Sequence, residues 1–360
     1  MPLEGWDHLE LWVGNAKQAA FFYEHGFGFT PVAYAGPETG VRDRASYVLQ
    51  QGEIRFALTS ALTSDHEITR FTGTHGDGVR DIALTVPDAR AAYDHAVGHG
   101  ARGVAEPHSS EDEHGLVELA SIETYGDVVH TFVARSGYDG PFLPGYRSLA
   151  TNGPPGAGFG LLALDHVVGN VELGKMDEWV EFYERVLGFE NIIHFTEENI
   201  TTEYSALMSK VMADGERKIK FPINEPAEGR RKSQIQEYLD YNESPGVQHV
   251  AMQTSDIVGT VETLRDHGVL LLKTPESYYE DLPGRVGAIE EDFADLERLG
   301  ILADRDEDGY LLQIFTRTAQ DRPTLFFEVI ERHGATGFGE GNFKALFEAI
   351  EREQALRGNL

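Results

Sequence analysis

The chain carries an internal repeat, and this repeat constrains the fold more than any other feature of the sequence. Residues 6–11 (WDHLEL) recur as residues 164–169 (LDHVVG), and residues 78–84 (GVRDIAL) recur as residues 246–252 (GVQHVAM). Each stretch is short and mostly apolar, which indicates a buried strand. Internal similarity over such a distance predicts two tandem copies of one structural plan.

Matched helices and strands accompany these stretches. Residues 16–25 and 175–187 predict one pair of helices, since apolar side chains recur at every third or fourth position, most clearly in 175–187. A second helix pair is predicted at residues 88–99 and 256–267. Further strands are predicted at residues 45–50, 54–59, 202–208 and 218–223, and a third matched pair of strands at residues 126–132 (GDVVHTF) and 309–315 (GYLLQIF).

A run rich in Gly and Pro at residues 152–158 separates the two copies and is the expected linker. We therefore predict an α+β fold with two domains, residues 1–150 and 160–360. Each domain reads as strand, helix and strands, repeated. A C-terminal helix without a counterpart in the first half follows the second copy, with one apolar face formed by Phe343, Leu346, Phe347 and Ile350.

Composition limits the classes of partner. The 360 residues include 30 basic and 60 acidic side chains, a formal net charge of −30, which disfavours binding to nucleic acid or to an anionic membrane surface. The chain contains no Cys, so any metal must be held by His, Asp or Glu. No signal peptide and no apolar run long enough for a membrane span is evident, and we expect a cytoplasmic protein.

Three polar side chains on apolar strands of the second copy suggest a metal site. His166 begins one predicted strand, His249 lies in the repeated stretch, and Glu328 is surrounded by large apolar residues at 325–330. A carboxylate buried in such a place is costly unless it is paired or bound to a metal. Two His and one carboxylate form the facial set that binds Fe(II) and leaves positions open for substrate and O2.

The first copy retains only part of this set. His8 matches His166, but Asp81 occupies the place of His249, and the spacing of the third matched strand places Gly145 opposite Glu328. The sequence therefore predicts a degenerate, non-catalytic first domain and a catalytic second domain.

With these residues assembled, the chain resembles the 4-hydroxyphenylpyruvate dioxygenases of the vicinal-oxygen-chelate superfamily. The resemblance covers nearly the whole chain and is carried by residues 164–168 (LDHVV), 221–226 (FPINEP), 232–236 (KSQIQ), 246–251 (GVQHVA), 311–316 (LLQIFT), 321–324 (DRPT), 326–328 (FFE) and 337–343 (GFGEGNF). It implies two vicinal-oxygen-chelate domains, each built from paired βαβββ modules that form an open barrel, with a C-terminal helix that gates the second domain.

The resemblance also implies the residues of the site. It assigns Fe(II) to His166, His249 and Glu328, and catalytic roles to Asn224, Gln234 and Gln313. It implies a substrate pocket formed by Ser205, Asn224, Gln234, Gln248, Gln313, Phe315, Phe326, Phe338, Asn342 and Phe343, with Asn342 near the entrance. Because adjacent strand residues point to opposite faces, Gln248 and His249 can both face the metal only if their strand is distorted.

The implied reaction converts 4-hydroxyphenylpyruvate and O2 to homogentisate and CO2, a step of tyrosine and phenylalanine catabolism, by decarboxylation, ring hydroxylation and side-chain migration. A homo-oligomer, dimer or tetramer, is implied as well. Three alternatives stay open: a 4-hydroxymandelate synthase, which hydroxylates the benzylic carbon of the same substrate; a non-catalytic binding protein of the superfamily; and a site for another metal such as zinc. We expect Asn224 to help select the position that is hydroxylated.

Overall fold

The structure is a computed structural model that describes residues 1–150, 158–195, 206–227 and 232–358. The first half contributes β1 (Gly5–Trp12), α1 (Ala16–Phe27), β2 (Thr30–Ala35), β3 (Arg44–Gln51), β4 (Ile54–Ala61), α2 (Glu67–His75), β5 (Gly78–Thr85), α3 (Ala89–Gly98), β6 (Gly103–Asp112), β7 (Gly115–Glu123), β8 (Val129–Ala134) and β9 (Arg147–Ser148). The second half contributes β10 (Leu161–Asn170), α4 (Met176–Leu187), β11 (Glu190–Phe195), β12 (Ala206–Ala213), β13 (Lys220–Ala227), α5 (Gln234–Asn242), β14 (Gly246–Thr254), α6 (Ile257–Asp266), α7 (Ser277–Glu280), α8 (Leu282–Val286), α9 (Phe293–Leu299), β15 (Leu302–Arg305), β16 (Tyr310–Phe315), β17 (Phe326–His333) and α10 (Phe343–Leu356).

The four predicted repeat helices are confirmed as α1, α3, α4 and α6, with ends that differ by one or two residues from the prediction. Side chains cap the first turns of α1, α3 and α6. For example, Asn15 accepts from the backbone N–H of Gln18 at 3.1 Å, and Asp256 accepts from that of Gly259 at 2.9 Å. Gly188 ends α4 in the left-handed conformation, with φ of 73°, which satisfies the last carbonyls of the helix.

The two sheets have the same order of strands, and this order confirms the repeat. In the described residues the first sheet runs β6-β7-β8-β5-β1-β4-β3-β2-β9, and the second, read from the other end, runs β15-β16-β17-β14-β10-β13-β12-β11. Each strand of the second sheet thus has a counterpart in the first. The central strands of the second sheet, β10, β14 and β17, correspond to β1, β5 and β8.

The predicted third match, which pairs residues 126–132 with residues 309–315, is wrong. β8 lies parallel to β5 in the first sheet, and the strand that lies parallel to β14 in the second is β17. β16 instead occupies the place of β7. The pattern misled because β8 and β16 are both short apolar strands preceded by a Gly, and the residue pattern of a strand does not report which neighbour it pairs with.

The two halves share one hydrophobic core. The ring of Phe327 lies 5.3 Å from that of Phe27 and 5.7 Å from that of Tyr23, and it is 1% exposed. Neighbouring strand residues point to opposite faces, so Phe327 faces the first half while Glu328 faces the interior of the second sheet. The first half therefore supports the back of β17. The predicted linker, residues 152–158, lies outside the described residues apart from its last one, and the described helices are too short or too polar to cross a bilayer.

Candidate metal centre and substrate pocket

Strand register brings the three predicted ligands to one face of the second sheet. Ala251 on β14 pairs with His166 on β10 and with Glu328 on β17, so these three residues form a row across neighbouring strands. His249 lies two residues before Ala251 and therefore on the same face. The small side chain of Ala251 leaves the space between the three larger ones free.

The ligand atoms converge closely. Nε2 of His166 and Nε2 of His249 each lie 3.2 Å from Oε2 of Glu328. All three side chains are buried, with residue exposures of 3%, 8% and 2% in chain order for His166, His249 and Glu328. One buried carboxylate flanked by two imidazole nitrogens at such distances is the arrangement of a metal-binding group.

The charges of the group favour an ionised carboxylate. Burial raises the pKa of Glu328, but the neighbouring imidazoles outweigh burial and hold that pKa at about 2. Burial lowers the pKa of His249, whereas the carboxylates of Glu328 and Asp165 outweigh burial at His166 and raise its pKa. The centre thus offers a charged oxygen ligand near neutral pH.

A second layer of polar groups orients His166. Its Nδ1 lies 2.7 Å from Oδ1 of Asp165, which leaves Nε2 directed at the centre. Asp165 is buried and accepts two hydrogen bonds from the guanidinium of Arg332, at 2.8 and 2.9 Å, and Lys220 Nζ lies 3.2 Å from it. Burial raises the pKa of Asp165, but the hydrogen bonds and charges of His166 and Arg332 outweigh burial and hold that pKa well below its usual range. The carboxylate is therefore charged and strengthens His166 as a ligand.

The strand distortion that the sequence required at Gln248 is present. Along β14, His249 pairs with Val168 but Val247 pairs with Gly169, so Gln248 is the extra residue of a β-bulge. The bulge allows Gln248 to turn toward the same cavity as His249. Its Oε1 lies 2.9 Å from Nδ1 of His249 and holds that ring in the way that Asp165 holds the ring of His166.

A cavity opens over the three ligands, and most of the predicted substrate residues line it. These residues lie on the strands around His166, His249 and Glu328 and on the segments that cover them. They are Asn224, Gln234, Gln248, Gln313, Phe315, Phe326, Phe338 and Phe343. Ser205 lies outside the described residues. The rings of Phe326 and His249 stack at 4.9 Å, and Phe338 meets His166 edge-on at 5.0 Å. The cavity is thus aromatic and amide-lined around one charged end.

Asn342 lies behind the cavity wall instead of near an entrance. It is 1% exposed, its Nδ2 donates to Oε1 of Gln313 at 3.0 Å, and its Oδ1 accepts from the hydroxyl of Tyr278 at 2.6 Å. Gln313 in turn donates from Nε2 to Oε1 of Glu328 at 3.2 Å. This chain of hydrogen bonds fixes the Gln313 amide and the carboxylate of Glu328, a candidate metal ligand, together.

The other two amides are held by different elements. Asn224 lies on β13 and donates from Nδ2 to Oδ1 of Asn170 at 3.3 Å. Gln234 is the first residue of α5, whose N-terminus is capped by Ser233, which accepts from the N–H of Gln236 at 3.1 Å. The amides therefore approach the cavity from separate strands and from a helix start.

Sequence reasoning missed part of the cavity wall. Ser209 on β12 lines the cavity together with Leu207 and Val211, and Val168 and Phe195 contribute as well. Residues 207, 209 and 211 alternate along one strand face, so the period-two pattern of β12 is the signal that points to them. The apolar face predicted for α10, with Phe343, Leu346, Phe347 and Ile350, is confirmed because all four residues line the cavity.

In the first sheet, the positions that match two of the candidate metal ligands carry other residues. Since β8 matches β17, the counterpart of Glu328 is Thr131 and not the predicted Gly145. Thr131 donates its N–H to Asp81 at 3.0 Å and its hydroxyl to the same carboxylate. Asp81 replaces His249 as predicted, while Asp7 holds Nδ1 of His8 at 2.7 Å.

The supporting groups survive where the ligands do not. Arg135 donates to Asp7 at 2.7 and 2.8 Å, in the same way as Arg332 donates to Asp165. Phe142 meets His8 edge-on at 4.8 Å and is 3% exposed, so it fills the place above the imidazole in the first half. Among the described residues, the second half alone combines all three candidate ligands with a cavity above them.

The comparisons with known proteins agree with this description. The profile of the Glyoxalase/Bleomycin resistance protein/Dioxygenase superfamily matches residues 5–117 and 163–314. The 4-hydroxyphenylpyruvate dioxygenase of Dictyostelium discoideum is 49% identical over 99% of this chain and all of its own length, and that of Yarrowia lipolytica is 47% identical over 99% of this chain and 93% of its own length.

Solved structures resemble the fold closely. A triple mutant of 4-hydroxymandelate synthase from Streptomyces coelicolor is 38% identical, with a TM-score of 0.89 over 98% of this chain and all of that chain. A Mn(II)-bound glyoxalase from Novosphingobium aromaticivorans, 12% identical with a TM-score of 0.51 over 91% of this chain and 82% of that one, shares the fold alone. By its matched profile, its near full-length relatives and its repeated sheets, this chain belongs to the 4-hydroxyphenylpyruvate dioxygenases of the glyoxalase and dioxygenase superfamily.

Proposed function

We propose that this chain converts 4-hydroxyphenylpyruvate and O2 to homogentisate and CO2 with an Fe(II) held by His166, His249 and Glu328. The observation that carries the proposal is the convergence of these three ligand atoms in one buried, amide-lined cavity of a chain that is 49% identical to a 4-hydroxyphenylpyruvate dioxygenase. The residues fit the metal, since both Nδ1 atoms have partners on the protein and both Nε2 atoms face the carboxylate.

The protein's part in the reaction is to position groups and to exclude water. Fe(II), when bound, supplies the redox chemistry that couples O2 to the α-keto acid. Glu328 and the two imidazoles would hold that ion, and Asp165 and Gln248 keep the rings from turning. Three protein ligands leave room for the two oxygens of a keto acid.

Asn224, Gln234 and Gln313 are the proposed orienting residues. Amides bind a phenol and a carbonyl through directional hydrogen bonds without adding charge to a buried site. Because Pro222 and Asn224 lie two apart on β13 and both line the cavity, we assign to Asn224 the selection of the carbon that is hydroxylated. The substrate ring would be held by the apolar surfaces of Phe315, Phe326 and Phe338.

α10 is the proposed gate. Its apolar face, together with Phe338, covers the cavity, and water excluded by that cover cannot intercept a reactive intermediate. Residues 1–150 would form a non-catalytic supporting domain and residues 160–360 the catalytic one. We further propose a cytoplasmic homo-oligomer, a dimer or tetramer, in keeping with the family resemblance of the sequence.

A second candidate, 4-hydroxymandelate synthase, is favoured by one observation: a mutant of such an enzyme is the solved structure with a TM-score of 0.89. Its identity to this chain, 38%, is lower than the 49% of the Dictyostelium dioxygenase. The experiment that decides is anaerobic loading of the purified protein with Fe(II), followed by 4-hydroxyphenylpyruvate and O2, with chromatographic identification of the product.

We expect homogentisate and CO2 in equal amounts. If the product is hydroxymandelate, the second candidate function, 4-hydroxymandelate synthase, is the correct one. Glu328→Ala serves as the control, with expected loss of both iron and turnover; a Glu328→Ala protein with full iron content would argue for the non-catalytic binding protein. Loading with Zn(II) in place of Fe(II) is expected to give no turnover, since zinc is redox-inactive.

A further inference from the structure

A second cluster of metal-ligating side chains lies on the outer face of β17, away from the proposed iron site. Glu331 and His333 are two residues apart on the strand and therefore share a face, and Glu291 approaches them from the segment before α9. Glu328 is three residues before Glu331 and thus faces the opposite way. The mechanism proposed above uses none of these three side chains.

The spacing of the cluster matches that of a metal-binding group. Nε2 of His333 lies 3.1 Å from Oε1 of Glu331 and 3.1 Å from Oε1 of Glu291, and the three atoms all lie within 4.8 Å of one another. Ligand atoms that share one ion at about 2.1 Å lie about 3.0–3.4 Å apart. The corresponding nitrogen–oxygen distances at the proposed iron site are 3.2 Å.

The charges of the cluster are incompletely balanced. A single Nε2–H of His333 can point at only one of its two carboxylate neighbours. In the described part of the chain, no Lys or Arg forms an ion pair with Glu291 or Glu331, and Oε2 of Glu291 is buried without a hydrogen-bond partner. Two largely buried carboxylates that share one imidazole are costly, and a divalent cation would offset that cost.

The surrounding groups hold the cluster in place. Oε2 of Glu331 accepts from the N–H of Ile257 at the start of α6, at 2.7 Å, which leaves Oε1 directed at the cluster. The ring of Tyr310 stacks on that of His333 at 4.3 Å with an interplanar angle of 5°. Partners of this kind fix the direction of ligand atoms before an ion arrives.

We infer that Glu291, Glu331 and His333 form a second binding site for a divalent transition metal of the zinc class. One imidazole and two carboxylates are a ligand set that zinc accepts. The His333 side chain is 24% exposed, so an ion from solvent can reach the cluster. The ion would tie the segment before α9 to β17, behind the strand that carries Glu328.

The test measures zinc bound to the metal-free full-length protein by equilibrium dialysis, with thermal unfolding in the presence and absence of Zn(II). Wild type is expected to bind two equivalents, Glu291→Gln one, and Glu328→Gln one. Glu290→Gln is the matched control, because it makes the same change of charge one residue away on an exposed side chain, and it should bind two. Glu291→Gln should retain iron-dependent activity. The loss of one zinc equivalent between Glu290→Gln and Glu291→Gln tests the second site whether or not the proposed function is correct.

Two outcomes would overturn the inference. One is an equal zinc stoichiometry in wild type, Glu290→Gln and Glu291→Gln. The other is an unfolding temperature that falls in Glu291→Gln by the same amount with and without Zn(II), which would make the cluster a protonated His333 bridging two carboxylates. His333→Gln supplies an independent variant for the first of these measurements, and it should likewise bind one equivalent of zinc.

Discussion

Asp165 offers the sharpest test of how the second half holds its metal. It accepts the Nδ1–H of His166 at 2.7 Å while two hydrogen bonds from Arg332 keep it fixed. Loss of such an outer partner lowers metal affinity about 10- to 100-fold. Asp165→Asn keeps an acceptor oxygen but loses the charge, so we expect a weakening of about tenfold, or about 1.4 kcal/mol of binding free energy. Asp165→Ala loses both, and about 100-fold is expected.

The repeat provides the matched control. Asp7 holds His8 at 2.7 Å and pairs with Arg135 as Asp165 pairs with Arg332, but no ligand set surrounds His8. Both Asp→Ala changes should lower the free energy of unfolding by about 3–5 kcal/mol, because each leaves a buried guanidinium without its counter-charge. Only Asp165→Ala should also weaken the binding of the metal.

The assay is an anaerobic titration of metal-free protein with Fe(II), alongside denaturant unfolding of the same variants. Iron affinity that is unchanged in Asp165→Ala would refute the role given to this carboxylate. An equal loss of iron affinity in Asp7→Ala would refute it as well, since the effect would then come from general destabilisation.

Three further predictions concern stability. Burial raises the pKa of Asp81 from 3.8 to about 6, so the folded state keeps the proton of this carboxyl to a higher pH than the unfolded state does. The free energy of unfolding should therefore fall by about 3 kcal/mol as pH rises from about 4 to 6. This fall should be absent in Asp81→Asn when unfolding is followed against pH, and a profile equal to that of wild type would contradict the assignment. A Cβ on Gly169 would lie 2.5 Å from the Tyr125 ring, so Gly169→Ala should cost about 1–3 kcal/mol in denaturant unfolding, whereas Gly73→Ala, where no atom lies within 4 Å, should escape that clash. Phe327→Ala should cost about 3–5 kcal/mol, and a smaller loss would mean that the halves are joined less tightly than the ring contacts indicate.

The repeat and the three candidate metal ligands could be predicted from the sequence because each appears as a pattern of neighbouring residues. Strand and helix patterns repeat along the chain, and buried His166, His249 and Glu328 interrupt apolar runs where a charge is costly. The family resemblance added the amides and aromatic rings, most of which line the cavity.

What escaped depends on pairing between distant strands. A strand distortion at Gln248 was expected, but its form, a β-bulge, arises from the register between β14 and β10, which residues near Gln248 do not specify. The prediction placed the counterpart of Glu328 at Gly145 because it assumed a constant number of residues between matched positions. That assumption holds only when both copies have insertions of the same length. The sheet order, and not the spacing, identifies Thr131.

Phe327 and Glu328 are sequence neighbours that serve different halves of the molecule. A protein that consisted of the second half alone would contain every proposed iron ligand. It would lack Tyr23 and Phe27, against which the ring of Phe327 packs. Tyr23 and Phe27, which do not line the cavity, therefore help to hold the strand that carries Glu328. The half that is proposed to be non-catalytic thus contributes packing to the strand that carries a proposed metal ligand.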